Sequence, residues 1–194
     1  MGKIRMDESP IETKIGKYTL VNSHVQIGEG SRVWHFCNLY GTERNPVIIG
    51  NYTSIGSYTQ IKPEVRIGDY CNLQSGLRFG EKVYVGNYVF IGSEVIFLTD
   101  RVPSAFTKAD KLDVLSLIKG IHIDDYAMIG GAVKILDGVK VGSHALVGAG
   151  SLVSKDVPPF AVVVGSPAKK IGDVREEKYL QRLPPSHRKL IESL

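Results

Sequence analysis

Apolar residues recur every six positions along most of this chain, a period that no α-helix produces and that confines the chain to a repeating, coil-by-coil architecture. One run is Ile15, Val21, Ile27, Val33 and Leu39. A second is Ile49, Ile55, Ile61, Ile67, Leu73, Phe79, Val85, Ile91 and Phe97, and a third is Ile123, Ile129, Ile135, Val141, Val147 and Val153. All of these are aliphatic or Phe, in a chain that is only 43% apolar. Four positions after them comes a second small or apolar set that includes Ser31, Cys37, Thr53, Thr59, Val65, Cys71, Val89, Ala127 and Ser151. Two inward side chains per six residues describe short strands separated by turns.

Glycine often follows the aliphatic residue directly, as at Gly16, Gly56, Gly92, Gly130 and Gly148. It is favoured wherever backbones approach closely or φ turns positive. A period of six with β-branched residues inside resembles the hexapeptide β-helix among solenoids. That resemblance implies an all-β solenoid: a left-handed parallel β-helix with three hexapeptides to the turn, forming a triangular prism. The hand comes from the resemblance, because parallel crossovers are in general right-handed.

Two interruptions break the period. From Leu39 to Ile49 the step is ten, which places a small loop around residues 41–46, and from Phe97 to Ile123 it is 26, which leaves a long loop within residues 98–122. Insertions in solenoids are surface loops, and loops of this length in compact domains tend to be functional. After Val153 the chain passes through Pro158 and Pro159 into a charged tail. A short helix is expected after Pro184 and Pro185, with Ser186 as its N-cap. An open solenoid end requires such a cap. The expected organisation is therefore a β-helix over residues 1–170 and a partly helical tail over 171–194.

Composition narrows the setting. A chain of 194 residues is long enough for one sizeable core and short for two. Residues 1–10 are polar, and no apolar run reaches membrane-spanning length, so the expectation is a soluble cytoplasmic protein without a membrane span. Cys37 and Cys71 are too few for a disulfide framework and are expected to be buried. The net charge is +4, and residues 169–194 hold seven Lys or Arg against four Asp or Glu. This local basic surface lacks the interleaved aromatics of a nucleic-acid binder.

The segment Gly148, Ala149, Gly150, Ser151, Val153, Lys155, Asp156, Val157 and Pro158, followed by Val164, Gly165, Ser166, Pro167, Ala168 and Lys169, is similar to the C-terminal signature of hexapeptide acyltransferases. The resemblance implies acetyl-CoA as co-substrate, no metal, and a homotrimer with sites shared between copies. It places the pantetheine arm along small residues, Gly130, Gly131, Gly148 and Ala149, and the CoA phosphates at Lys169 and Lys170. Over residues 15–172, the order of Trp34 and His35, Gln74, Ser75 and Gly76, Phe97 to Asp100, Pro103 and Ser104, and Lys119 and Gly120 resembles N-acetyltransferases of nucleotide-linked amino sugars. Members acting on UDP-linked 3-amino uronic acids carry an Asn pair after the glutamine and an Asn in the loop. Ser75, Gly76 and Asp100 stand there, and the serine–glycine pair is closer to enzymes for dTDP-linked 3-amino-dideoxyhexoses.

Residues 18 apart in an uninterrupted coil stack on one edge, so Gln60 is expected beneath Arg78, Ser75 between Ser57 and Ser93, and Asp100 above Lys82. An amine acceptor needs positioning more than a general base. Asp100 is the candidate to orient the amine or take its proton, with His122 as the alternative base. His35, Gln74, Ser75, Gly76 and Arg78 are the candidate contacts to the nucleotide sugar. The readings left beside this one are an O-acyltransferase of the same fold, a γ-type zinc carbonic anhydrase and a non-enzymatic scaffold. His24, His35, His122, His144 and His187 lack the close histidine pair that a zinc site of that type would use.

Overall fold

The computed structural model describes residues 12–100 and 113–194, and these form a parallel β-helix. Strands of two to five residues visit three sheets in rotation as far as Leu152–Val153, after which the last two strands both join the first sheet, so that the sheets hold nine, seven and six strands. Leu73 lies beside Ile55 in the coil before it and Ile91 in the coil after it, as the 18-residue spacing requires. Phe79 and Phe97 stack inside the second sheet with ring centroids 4.5 Å apart. Both insertions leave the register intact: Ile27 pairs with Ile49 and Val85 with Ile123, so each loop is extruded from the coil without shifting the strands that follow.

Of the two inward sets, every member from Ser31 to Val153 is buried. Ile15 departs from the pattern at 51% exposed, because its coil begins the described solenoid and is covered on one side only. Cys37 and Cys71 are free thiols in the core, and burial pushes Cys71 up to about 11, which suits an inert packing residue.

The glycines answer a steric demand. A Cβ at Gly56 would come within 2.5 Å of backbone atoms of Gln74 and Ser75, and one at Gly130 within 2.5 Å of the Ala149 nitrogen. Positive φ falls two residues later, on side chains such as Tyr52, Tyr70, Tyr88, Tyr126, His144 and Phe160. The left-handed region costs an L-residue about 1–2 kcal/mol. These rings recover part of it by stacking coil upon coil at 4.9–5.2 Å, worth about 0.5–1.5 kcal/mol per pair beyond the area buried.

The chain ends by folding back. The strand Ala161–Val164 pairs antiparallel with Lys169–Asp173, a strand that spans the expected limit at residue 170. Helices Glu177–Leu180 and Pro185–Glu192 follow. Ser186 is not the N-cap: Pro184 holds that position and Pro185 is the first helical residue, where a fixed φ helps and a missing N–H costs nothing. Val174, Leu180, Leu183 and Ile191 close over Met128 and Leu146 on the outward side of the first sheet. Among the described residues no helix is long and apolar enough to cross a membrane.

His187 joins the last helix to the coil, with Nε2 3.1 Å from Nδ1 of His144. His144 is 6% exposed and stacked between Tyr126 and Phe160. Burial holds both imidazoles below their usual range; at His144 the charge of His187 adds to this and Asp125 opposes it. The neutral pair therefore stabilises the docked tail fully above the unfolded imidazole pKa of about 6.5, and the contribution is lost as pH falls through the lower folded values. Thermal denaturation should show the midpoint dropping more between about pH 7 and pH 5 in the wild type than in His144→Phe/His187→Leu. Equal slopes would remove the pair from the account.

Candidate functional site

The edge that follows the first sheet carries most of the expected site. In successive coils it presents His35, Ser57, Ser75, Ser93, Gly131 and Ala149 at one equivalent position. Peptide hydrogen bonds tie them together: the N–H of Tyr58 donates to His35 O, Gly76 to Ser57 O, Glu94 to Ser75 O, Ala132 to Ser93 O and Gly150 to Gly131 O, at 2.8–3.1 Å. Ser75 thus lies between Ser57 and Ser93 as the spacing predicts. Gly130 and Gly148 sit one residue earlier on the same edge, so from Ser57 to Ala149 the chain offers a strip of small side chains about 19 Å long at the usual strand spacing.

The backbone N–H groups of Ser57, Ser75, Ser93, Gly131 and Ala149 donate to no protein group among the described residues. The equivalent N–H groups on the edge after the third sheet behave differently. There Glu29, Asn51, Asp69 and Asn87 donate to the side-chain oxygens of Asn51, Asp69, Asn87 and Asp125 in the next coil. Small residues on the first edge leave a row of donors open to a ligand.

At one end of the strip a concavity of about 330 Å³ is lined by Trp34, Ser54, Ser57, Asn72, Gln74 and Ser75. Trp34 Nε1–H donates to Ser54 Oγ at 3.3 Å, and Gln74 Nε2–H to Asn72 Oδ1 at 2.9 Å. Ser54 and Asn72 are additions to the sequence reading. Their signal is the outward position in the strand one residue before an inward Ile55 or Leu73. Arg78 lies past the corner in the second sheet, in register with Gln60 as expected. At the other end, Lys169 pairs opposite Val164 and Lys170 opposite Val163, both lysines exposed. The side chain of Val164 fills the space above Gly148.

Glu94 was also invisible to motif reading. Its carboxylate rests against Gly76, whose φ of +76° favours glycine, in the space a Cβ there would take. Among residues on the strip itself it is the single acid.

Asp100 is not brought to this edge. It follows the second sheet, is exposed, and lies 3.9 Å from Lys62 Nζ, which Glu81 also approaches at 3.4 Å. Lys82, expected beside it, donates to Ile118 O at 3.4 Å. Lys119 and Gly120 close the long loop by donating their N–H groups to Asp137. Pro103 and Ser104 lie outside the described residues. His122 is in the third sheet, stacked on Tyr84 at 4.8 Å beside Asp124 and Asp125, away from both groups. Among the described residues no three His, Cys, Asp or Glu side chains gather in a way that could hold a metal.

Residues 46–80 match the family described as bacterial transferase hexapeptide, six repeats. A Schizosaccharomyces pombe protein named as an acetyltransferase is 37% identical over 95 residues, or 49% of this chain and 45% of that protein. The chain therefore spans less than half of that relative. The structure of AntD, an N-acyltransferase from Bacillus cereus in complex with dTDP-4-amino-4,6-dideoxyglucose and coenzyme A, aligns over 93% of this chain and 91% of its own with TM-score 0.59 at 19% identity. The UDP-N-acetylglucosamine acyltransferase of Francisella novicida aligns over 93% and 67% with TM-score 0.63 at 21% identity. At these identities the structural likeness is one of fold.

Proposed function

We propose that this chain, a member of the hexapeptide-repeat β-helix proteins, transfers an acetyl group from acetyl-CoA to the amino group of a nucleotide-linked 3-amino sugar. The observation that carries the reading is the strip of small residues with open N–H donors that leads from the Trp34–Gln74 concavity toward Lys169 and Lys170. An extended pantetheine arm fits against Ser93, Gly131 and Ala149, alongside the backbone of Gly130 and Gly148. Lys169 and Lys170 meet the CoA phosphates. His35, Gln74, Ser75, Gly76 and Arg78 hold the acceptor. The name of the S. pombe relative supports acetyl transfer, and the AntD complex is an instance of this fold holding coenzyme A with a nucleotide-linked amino sugar, there a 4-amino one. On this reading the enzyme works in the cytoplasm.

In the transfer the neutral amine attacks the thioester carbonyl carbon, the C–N bond forms, the C–S bond breaks, and CoA leaves as the thiol with the proton lost by the nitrogen. An open N–H on the strip can stabilise the developing oxyanion. Holding amine and thioester together supplies much of the rate. Asp100 occupies a different edge from Gln74 within one chain, so its part in orienting the amine requires a second copy. A closed cyclic trimer sets one copy's loop edge against its neighbour's strip, while Glu94 supplies a carboxylate from the strip itself.

Incubating the protein and acetyl-CoA with a panel of nucleotide-linked amino sugars should release free CoA thiol with a 3-amino sugar. Release with none of them, or faster acetylation of a sugar hydroxyl, would overturn the reading. Asp100→Ala should lower kcat/KM for the acceptor roughly 10- to 100-fold, about 1.4–2.7 kcal/mol, with CoA affinity unchanged. Asp100→Asn and Glu94→Gln measured alongside tell which carboxylate takes the proton, since each keeps shape and loses charge. A stable monomer in sedimentation equilibrium at micromolar concentration would remove the shared site. Lys169→Ala/Lys170→Ala should raise the Kd for CoA, equivalent to about 1–3 kcal/mol, and flatten its salt dependence. Unchanged binding would return both lysines to the solvated tail.

A further inference from the structure

Beyond the strip, at the first described coil, lies a recess of about 210 Å³ lined by Lys14, Ile15, Gly16, Arg32, Val33, Trp34 and His35, mostly apolar in its walls and carrying its charges on Lys14 and Arg32. None of its lining residues is acidic. Lys14 and Arg32 are direct partners in adjacent parallel strands, so two like charges stand one strand spacing apart, about 4.8 Å between backbones. Such a pair costs stability unless an anion lies between the side chains. Among the described residues neither side chain makes an ion pair.

His35 adds a third donor. Its Nδ1 accepts the backbone N–H of Lys17 at 2.8 Å, so the neutral ring carries its proton on Nε2. Trp34 is the wall shared with the 330 Å³ concavity, and its bond to Ser54 fixes the ring. A recess that carries two cations on apolar walls and a polar recess therefore adjoin across one indole. From Arg32 to Asn72 is two coils, about 10 Å, roughly the separation between the nucleoside-side phosphate of a diphosphate and the far side of the hexose it carries.

We propose that the Lys14–Arg32–His35 recess binds the diphosphate of the nucleotide-linked acceptor, with the sugar reaching past Trp34 toward Asn72, Gln74 and Ser75. This rests on the acceptor reading above. A diphosphate diester carries two negative charges, which the two cations neutralise, and Nε2–H of His35 donates to a phosphate oxygen. The recess selects the charged linker that every nucleotide sugar shares, and leaves discrimination among sugars to the polar concavity.

Calorimetric titration of the full chain with UDP and dTDP, against uridine and thymidine lacking phosphate, tests the assignment. At least one diphosphate should bind, and its nucleoside should bind far more weakly. Lys14→Ala/Arg32→Ala should weaken diphosphate binding by about 10- to 100-fold and flatten its salt dependence, with CoA affinity unchanged. Arg32→Lys, which keeps the charge and the strand, should retain most of the affinity and so separates loss of charge from loss of fold. No diphosphate binding, an unaltered affinity in the double variant, or an equal loss of CoA affinity would each overturn the proposal. The acceptor reading fails separately: if diphosphates bind through these cations while no nucleotide-linked amino sugar releases CoA thiol, the recess stands and the transfer reaction does not.

Discussion

Everything in this molecule depends on inward side chains stacking at one strand spacing. No coil can bury its own interior: Leu73 is covered because Ile55 lies on one side and Ile91 on the other. The peptide groups obey the same rule, with Gly56 donating to Leu73 O and Gln74 to Ile91 O. An interior residue in such a solenoid is therefore constrained by two neighbours of its own kind, and stability accrues coil by coil. The end of the stack is the weak point. Ile15 shows it at the first described coil, and at the other end the antiparallel strand and two helices cover what a further coil would otherwise bury.

Once the interior is assigned, chemistry is left to the three edges, and they diverge. On the edge after the third sheet, Asn and Asp side chains take the N–H of each preceding coil and aromatic rings stack outside them, so the edge is internally satisfied. The edge after the second sheet extrudes both loops and carries Asp100. The edge after the first sheet replaces the Asn and Asp ladder with Ser, Gly and Ala, and its donors stay open. One side-chain choice repeated from coil to coil separates an internally satisfied edge from one whose donors are open.

The architecture was legible because six is a period that only one kind of fold uses, and because the steps of ten and 26 kept phase. The stacking of Ser57, Ser75 and Ser93, and of Gln60 with Arg78, followed from subtraction alone. What subtraction could not supply was geometry within the turn. Glycine after the aliphatic residue is required by contact with the next coil, while positive φ went to Tyr and His residues that carry no sequence flag for it. The N-cap expected at Ser186 gave way to proline geometry. Asp100 came from motif resemblance, which orders residues along a chain without saying which edge of a prism each one occupies. Glu94 belongs to no motif and is found only by asking what lies against Gly76.

The charges along the edge after the first sheet form an order that the ligands of the proposed reaction would complement. Cations stand at the first coils, in Lys14 and Arg32, and again past the last, in Lys169 and Lys170. Between them the strip is uncharged except for Glu94. A nucleotide-linked amino sugar presents anionic phosphates followed by a cationic ammonium, and CoA presents a neutral thioester followed by anionic phosphates. Laid end to end, the two place negative charge over both cationic ends and the ammonium near the one carboxylate, with the thioester over open N–H groups. Reversing either ligand would put phosphate against Glu94, a like-charge contact that disfavours the wrong orientation. On the proposed reading the same edge thus fixes the direction in which each substrate lies, with cations at its two ends and one carboxylate beside the amine.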